Sequence, residues 1–135
     1  MKGVLCVLDA SAFLAYIHGE TGKERVSDVL GRGVAMSAVN WTEVLSKLSL
    51  QGISTKKFTE DLTNKGLLGQ CMIIIPFTAE DAEIAADIFI GTRSHGLSLG
   101  DRACLALAKR LKLPVLTSDR AWKGISFPVQ IELIR

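Results

Sequence analysis

Histidine, cysteine and aromatic side chains are all scarce in this chain, and neither sign of charge dominates it. The two histidines and three cysteines show no C-x-x-C or paired Cys/His spacing, which argues against a structural zinc cage. Cys6, Cys71 and Cys104 are odd in number, far apart and each set in an apolar segment, so they are expected as buried free thiols in a reducing compartment. His95 stands alone in a polar loop and is read as an ordinary polar residue. Aromatics make up 6% of the chain against 48% hydrophobic residues in all, with a mean hydropathy of +0.30. The core must therefore come mainly from Leu, Ile, Val and Ala. The longest apolar stretches, Val4–Leu8 and Cys71–Ile75, fall far short of the about 20 residues that cross a bilayer. With no signal-peptide pattern at the N-terminus, the expectation is an unexported, cytoplasmic protein without a membrane segment. Sixteen basic and 14 acidic residues leave a net charge of +2, too balanced to announce a nucleic-acid binder by composition.

What is present is an alternation of strand and helix signals over 135 residues, a length suited to one domain with one core. Val4–Leu8 is a short continuous apolar run ending at Asp9, as in a strand buried on both faces. Ser11–His18 and Lys23–Leu30 read as helices separated by glycines, and Val34–Met36 as a second strand. Ser37 caps a helix to about Leu50, with Val44, Leu45 and Leu48 at helical spacing. Ser54 caps another, whose period continues through Phe58, Leu62 and Lys65–Leu68 to Gly69. Met72–Ile75 is a third strand. Thr78 with Glu80 and Asp81 opens a helix through Ile84, Ile88 and Phe89, and Arg93–Gly96 is a polar loop. Ser98 opens a helix reaching about Lys112, Val115–Thr117 is a strand, and Phe127–Ile134 ends the chain as an edge strand. This order predicts an α/β fold, with a mainly parallel central sheet covered by helices on both faces.

Four acids occupy informative places. In such sheets, sites form in the crevice at the carboxyl ends of the strands. Asp9 directly follows the first strand and Asp119 follows Val115–Thr117. Asp101 lies in the first turn of its helix, and Glu43 lies early in the helix after Val34–Met36. All four can face one crevice. Carboxylates without Cys or His favour hard cations such as Mg²⁺ or Mn²⁺, and metals so held promote phosphodiester hydrolysis. Each acid also has a local reading. Asp9 and Asp119 stand where helix caps stand, Asp101 follows Ser98 at capping-box spacing, and Glu is a good helix former on any exposed face.

The segments carrying these acids resemble the PIN-domain family, specifically the VapC-like toxin ribonucleases of toxin–antitoxin pairs. The likeness spans nearly the whole chain. It rests on Val7-Leu-Asp9-Ala-Ser11-Ala-Phe-Leu-Ala-Tyr16, Ser37-Ala-Val-Asn-Trp-Thr-Glu43-Val-Leu-Ser-Lys47, Leu97-Ser-Leu-Gly-Asp101-Arg-Ala-Cys-Leu-Ala106 and Val115-Leu-Thr-Ser-Asp119-Arg-Ala-Trp122. It implies a three-layer PIN-like fold over residues 1–135. Asp9, Glu43, Asp101 and Asp119 would bind Mg²⁺ or Mn²⁺ and activate water for cleavage of RNA. Ser11 and Thr117 or Ser118 would hydrogen-bond a carboxylate or a metal-bound water and so orient the metal's ligands. Some relatives carry a further acid after the last Asp, whereas this chain has Arg120, Ala121 and Trp122 there, which leaves one or two metals open. The resemblance also implies a small antitoxin partner and a homodimer. Trp41, Phe58 and Leu67–Leu68 are candidates either for such an interface or for the core.

Arg93, Arg102, Arg120 and Lys123 lie near the acidic motifs in sequence and are the candidate RNA phosphate contacts. Two other functions compete. One is a phosphatase or phosphoacceptor using a strand-end Asp as nucleophile, although Asp9 is followed by Ala-Ser without a second acid two residues on. The other is a non-catalytic PIN-fold binding module.

Overall fold

The computed structural model describes residues 3–135. Its centre is a parallel five-stranded sheet in the order β3-β2-β1-β4-β5, formed by β1 (Cys6–Leu8), β2 (Val34–Ser37), β3 (Met72–Ile75), β4 (Val115–Thr117) and β5 (Ile131–Leu133). Six α-helices connect and cover it: α1 (Ala10–Ile17), α2 (Lys23–Leu30), α3 (Ala38–Leu50), α4 (Thr55–Asn64), α5 (Ala79–Gly91) and α6 (Leu99–Leu111).

Strand residues alternate between faces, and the core divides accordingly. Cys6, Leu8, Val34, Met36, Met72 and Leu116 pack with α1 to α4 on one face. Val7, Ala35, Ile75 and Val115 pack with Ile88 of α5 and with Cys104, Leu105, Leu107 and Ala108 of α6 on the other. The expected three layers are therefore present, and β1, β2 and β4 are buried throughout.

Several boundaries differ from the expectation. The first strand is limited to Cys6–Leu8, and the first helix begins at Ala10 with Asp9 as its cap. The helix expected to run through Lys65–Leu68 stops at Asn64, because Gly66 adopts φ +78°, which breaks the helical path. Leu67 and Leu68 instead fold back onto the core, as do Trp41 and Phe58, whose rings stack 6.1 Å apart. Arg93–His95 forms a 3₁₀ turn, and in the final segment only Ile131–Leu133 is strand, parallel to β4 at the sheet edge. Among the described residues no helix is long and apolar enough to cross a membrane.

The strand order places the site. From β1 the chain builds outward through β2 to β3, then crosses back to lay β4 on the other side of β1. The β1/β4 boundary is thus the topological switch point, where the connecting turns diverge and leave a crevice.

Candidate active site

Asp9 stands at the end of β1 in this crevice, 4% exposed. It is the N-cap of α1: Oδ1 accepts from the Ala12 N–H at 2.8 Å. The Ser11 hydroxyl donates to the same carboxylate (2.8 and 2.9 Å), and Thr117 Oγ1, from the end of β4, donates to Oδ2 at 2.5 Å. Ser11 and Thr117 in turn tie down the β4 turn. The Ser118 N–H donates to Ser11 Oγ (3.0 Å), and the Asp119 N–H donates to Thr117 Oγ1 (3.0 Å). Ser11 and Thr117 both hydrogen-bond the Asp9 carboxylate through their side chains, while Ser118 enters this network through its backbone.

The other acids arrive from separate elements. Asp119 caps the 3₁₀ turn Arg120–Trp122 by accepting from the Ala121 N–H at 2.9 Å. Asp101 completes a reciprocal capping box with Ser98 at the start of α6 (2.9 and 3.1 Å). Glu43, one turn into α3, accepts from Asn40 Nδ2 at 2.8 Å. Asp9, Glu43, Asp101 and Asp119, with Ser11, Asn40, Lys47 and Ala10, line one cleft of about 150 Å³. The local readings were right about capping, yet capping and cleft placement coincide in the same side chains.

The cleft is electrostatically unbalanced. Burial, with a smaller contribution from the Asp101 charge, pushes the Asp9 carboxyl up to about 6, against hydrogen bonds from Thr117, Ala12 and Ser11 that oppose the rise. Asp101 is also raised, by burial and by the Asp119 charge. Beneath the cleft, burial drives the Cys104 thiol far above its ordinary range, and the charges of Asp9, Asp101 and Glu43 add to it. The three cysteines are free; Cys6 and Cys104 are buried as expected, whereas Cys71 is only half-buried.

Among the described residues, no three Asp, Glu, His or Cys side chains are arranged as a group able to hold one ion. Asp9, Asp101 and Asp119 each turn an oxygen to a backbone N–H. The donor set nevertheless fits a hard divalent cation: carboxylates, a hydroxyl and an amide line the cleft, and no His or Cys does.

None of the four expected RNA-contacting cations lines the cleft. Arg102 donates to the Ala85 carbonyl at 3.0 Å and lies 5.0 Å from the Phe89 ring centroid, anchored on α5. Arg120 donates to the Arg135 carbonyl (3.2 Å), and Arg93 and Lys123 are exposed. The cation at the cleft is Lys47, one helical turn after Glu43. Sequence reasoning passed over it, although the i, i+4 spacing puts both on one face of α3.

A parallel α/β sheet with an acid-lined crevice at its switch point defines a class of site suited to cation-assisted chemistry on anionic substrates. The chain belongs to the PIN domain family, which matches residues 6–128. No match was found among curated proteins. Among solved structures, the chain is similar to a toxin–antitoxin complex from Klebsiella pneumoniae at 21% identity and a TM-score of 0.66, covering 93% of this chain and 99% of that one. It is similar to FitAcB from Neisseria gonorrhoeae at 21% identity and a TM-score of 0.70, covering 96% and 98%. It is also similar to VapBC-1 from nontypeable Haemophilus influenzae at 13% identity and a TM-score of 0.71, covering 97% and 98%. At these identities the likeness establishes the fold.

Proposed function

We propose that this protein is a metal-dependent endoribonuclease of one domain, residues 1–135, acting as the toxin of a toxin–antitoxin pair. The observation that carries this reading is the meeting of Asp9, Glu43, Asp101 and Asp119 in one cleft at the switch point of the sheet. These four would hold Mg²⁺ or Mn²⁺. When bound, such a cation neutralises the gathered carboxylates and polarises a phosphodiester and the attacking water. The chain's own residues do the rest. Ser11 and Thr117 fix the Asp9 carboxylate through three hydrogen bonds, and the Ser118 N–H holds Ser11 in place. Lys47 offers a positive charge to the substrate backbone at the cleft wall. Arg93 and Lys123, both exposed, are candidates for more distant phosphates, whereas Arg102 is committed to α5.

Hydrolysis by water at such a site leaves a 3′-hydroxyl and a 5′-phosphate and needs no 2′-hydroxyl nucleophile, so preference for RNA rests on shape and binding. The names of the structural neighbours support an antitoxin partner, and a homodimer belongs to the same reading. The protein acts in the cytoplasm on this view.

The test is cleavage of mixed structured RNA by purified protein with Mn²⁺ or Mg²⁺, beside EDTA and an Asp101→Asn control, with product ends mapped. Cleavage that requires metal and disappears in the variant, which keeps an oxygen to accept from the Ser98 N–H, supports the reading. A folded protein that binds metal and cuts no RNA favours the binding module.

A further inference from the structure

Glu43 differs from the other three acids in that, among the described residues, no backbone N–H donates to its carboxylate. Its carboxylate is placed by two features of other residues. Asn40, one turn earlier on α3 and 1% exposed, donates from Nδ2 both to Glu43 Oε1 at 2.8 Å and to the Gly100 carbonyl at 3.0 Å. Two acceptors on one side of the amide fix its orientation, since a flipped amide would set oxygen against oxygen twice. On the α6 side, Gly100 leaves open the space that Glu43 fills: a Cβ there would lie 2.5 to 2.7 Å from the Glu43 carboxylate atoms. Gly100 has no positive φ to require a glycine, so this close approach is what the missing side chain serves. The remaining amide oxygen, Asn40 Oδ1, is buried without a partner among the described residues, on a side chain that lines the cleft. An unmet acceptor of that kind is costly unless a donor-bearing ligand or water satisfies it.

We infer that Asn40 and Gly100 form a positioning seat for Glu43, holding its carboxylate towards a hydrated divalent cation in the cleft. The inference rests on the metal-dependent reading above. Asn40 acts through Glu43, so removing its amide weakens cation binding without removing a charged ligand, and outer partners of this kind typically contribute about ten- to a hundredfold in affinity.

Mn²⁺ binding to the full chain, measured by titration calorimetry with thermal melting as the folding check, tests the seat. Wild type, Asn40→Ala, Gly100→Ala, Glu43→Gln and the two double variants with Glu43→Gln are compared. Asn40→Ala and Gly100→Ala should each weaken Mn²⁺ binding about tenfold. Neither should weaken it further once Glu43 is Gln, because residues acting through one group are not additive. Gly100→Ala adds a good helix former and keeps the test alive should Asn40→Ala fail to fold. Unchanged affinity in the folded single variants, or the same loss with and without Glu43, overturns the seat while leaving the metal site standing. A wild type that binds no Mn²⁺ overturns both.

Discussion

Among the described residues two aspartates are buried at helix N-termini, and one of them alone has a countercharge. Asp81, 1% exposed, closes the capping box of α5 with Thr78 and is paired by Arg110 of α6 at 2.5 and 3.1 Å. Asp9, 4% exposed, caps α1 equally well, but its partners are hydroxyls and a backbone N–H. Among the described residues no Lys or Arg forms an ion pair with it. The same local task is thus performed twice, once with a countercharge from the chain and once without. Capping accounts for the position of both residues and for the charge balance of neither. Asp81 is neutralised to join two helices, while Asp9, beside three more acids in the cleft, has no countercharge from the chain among the described residues, and on the proposed function an external cation would supply it.

The largest expected contrast is in activity. Asp9→Asn or Asp101→Asn should lower RNA cleavage roughly a thousandfold, the upper end of what one charge-stabilising group contributes, with the fold intact by circular dichroism. Arg110→Ala should leave the cleavage rate unchanged yet cost about 3 kcal/mol in urea unfolding, since it strands the Asp81 charge in the interior. If Arg110→Ala abolished cleavage in a folded protein, the two aspartates would not be separable in the way their partners indicate.

The next contrast is in pH dependence. The Asp9 carboxyl keeps its proton to about 6 in the folded protein, against an ordinary value of 3.8. Between those values the folded state holds more protons than the unfolded one, so stability falls as pH rises. Its contribution is fully present below about 4 and lost above about 6, roughly 3 kcal/mol for the whole separation. Asp101 pushes in the same direction. Urea titrations of metal-free protein from pH 4 to 8 should show this decline, and Asp9→Asn should flatten most of it. Saturating Mn²⁺ should offset the loss at neutral pH, because a ligand that binds only the folded state stabilises it. A pH-independent wild type would show that Asp9 is solvated or paired after all.

The sequence pattern carried the layered fold and the four acids because both depend on local signals. Apolar runs ending in Asp, glycines between helices and Ser98-x-x-Asp101 are read within a few residues. What escaped depends on direction around a helix or on contacts between distant segments. Arg102 follows Asp101 in sequence, but a helix turns about 100° per residue, which carries its side chain to Phe89 and away from the cleft. Lys47 and Asn40 share the Glu43 face at helical spacings and were legible in principle. The approach of Gly100 to Glu43 joins α6 to α3 across 57 residues, and no local pattern announces it. The Lys65–Leu68 misreading has a similar origin: its apolar residues do reach the core, but from a chain reversal at Gly66.

The smallest expected effect concerns the sheet interior beneath the site. Cys6 lies in β1, three residues before Asp9, 2% exposed in the face that packs on α1 to α4. Burial holds its thiol up at about 11, so at neutral pH it is protonated and serves as a small apolar group. Cys6→Ala removes one buried atom's contacts and should cost about 1 kcal/mol in urea unfolding. Cleavage by the folded variant and the decline in stability between pH 4 and 6 should both be unchanged, since Asp9 keeps its partners. Normal stability with lost cleavage would reverse the assignment, moving the thiol from the packing of the strand to the chemistry at its end.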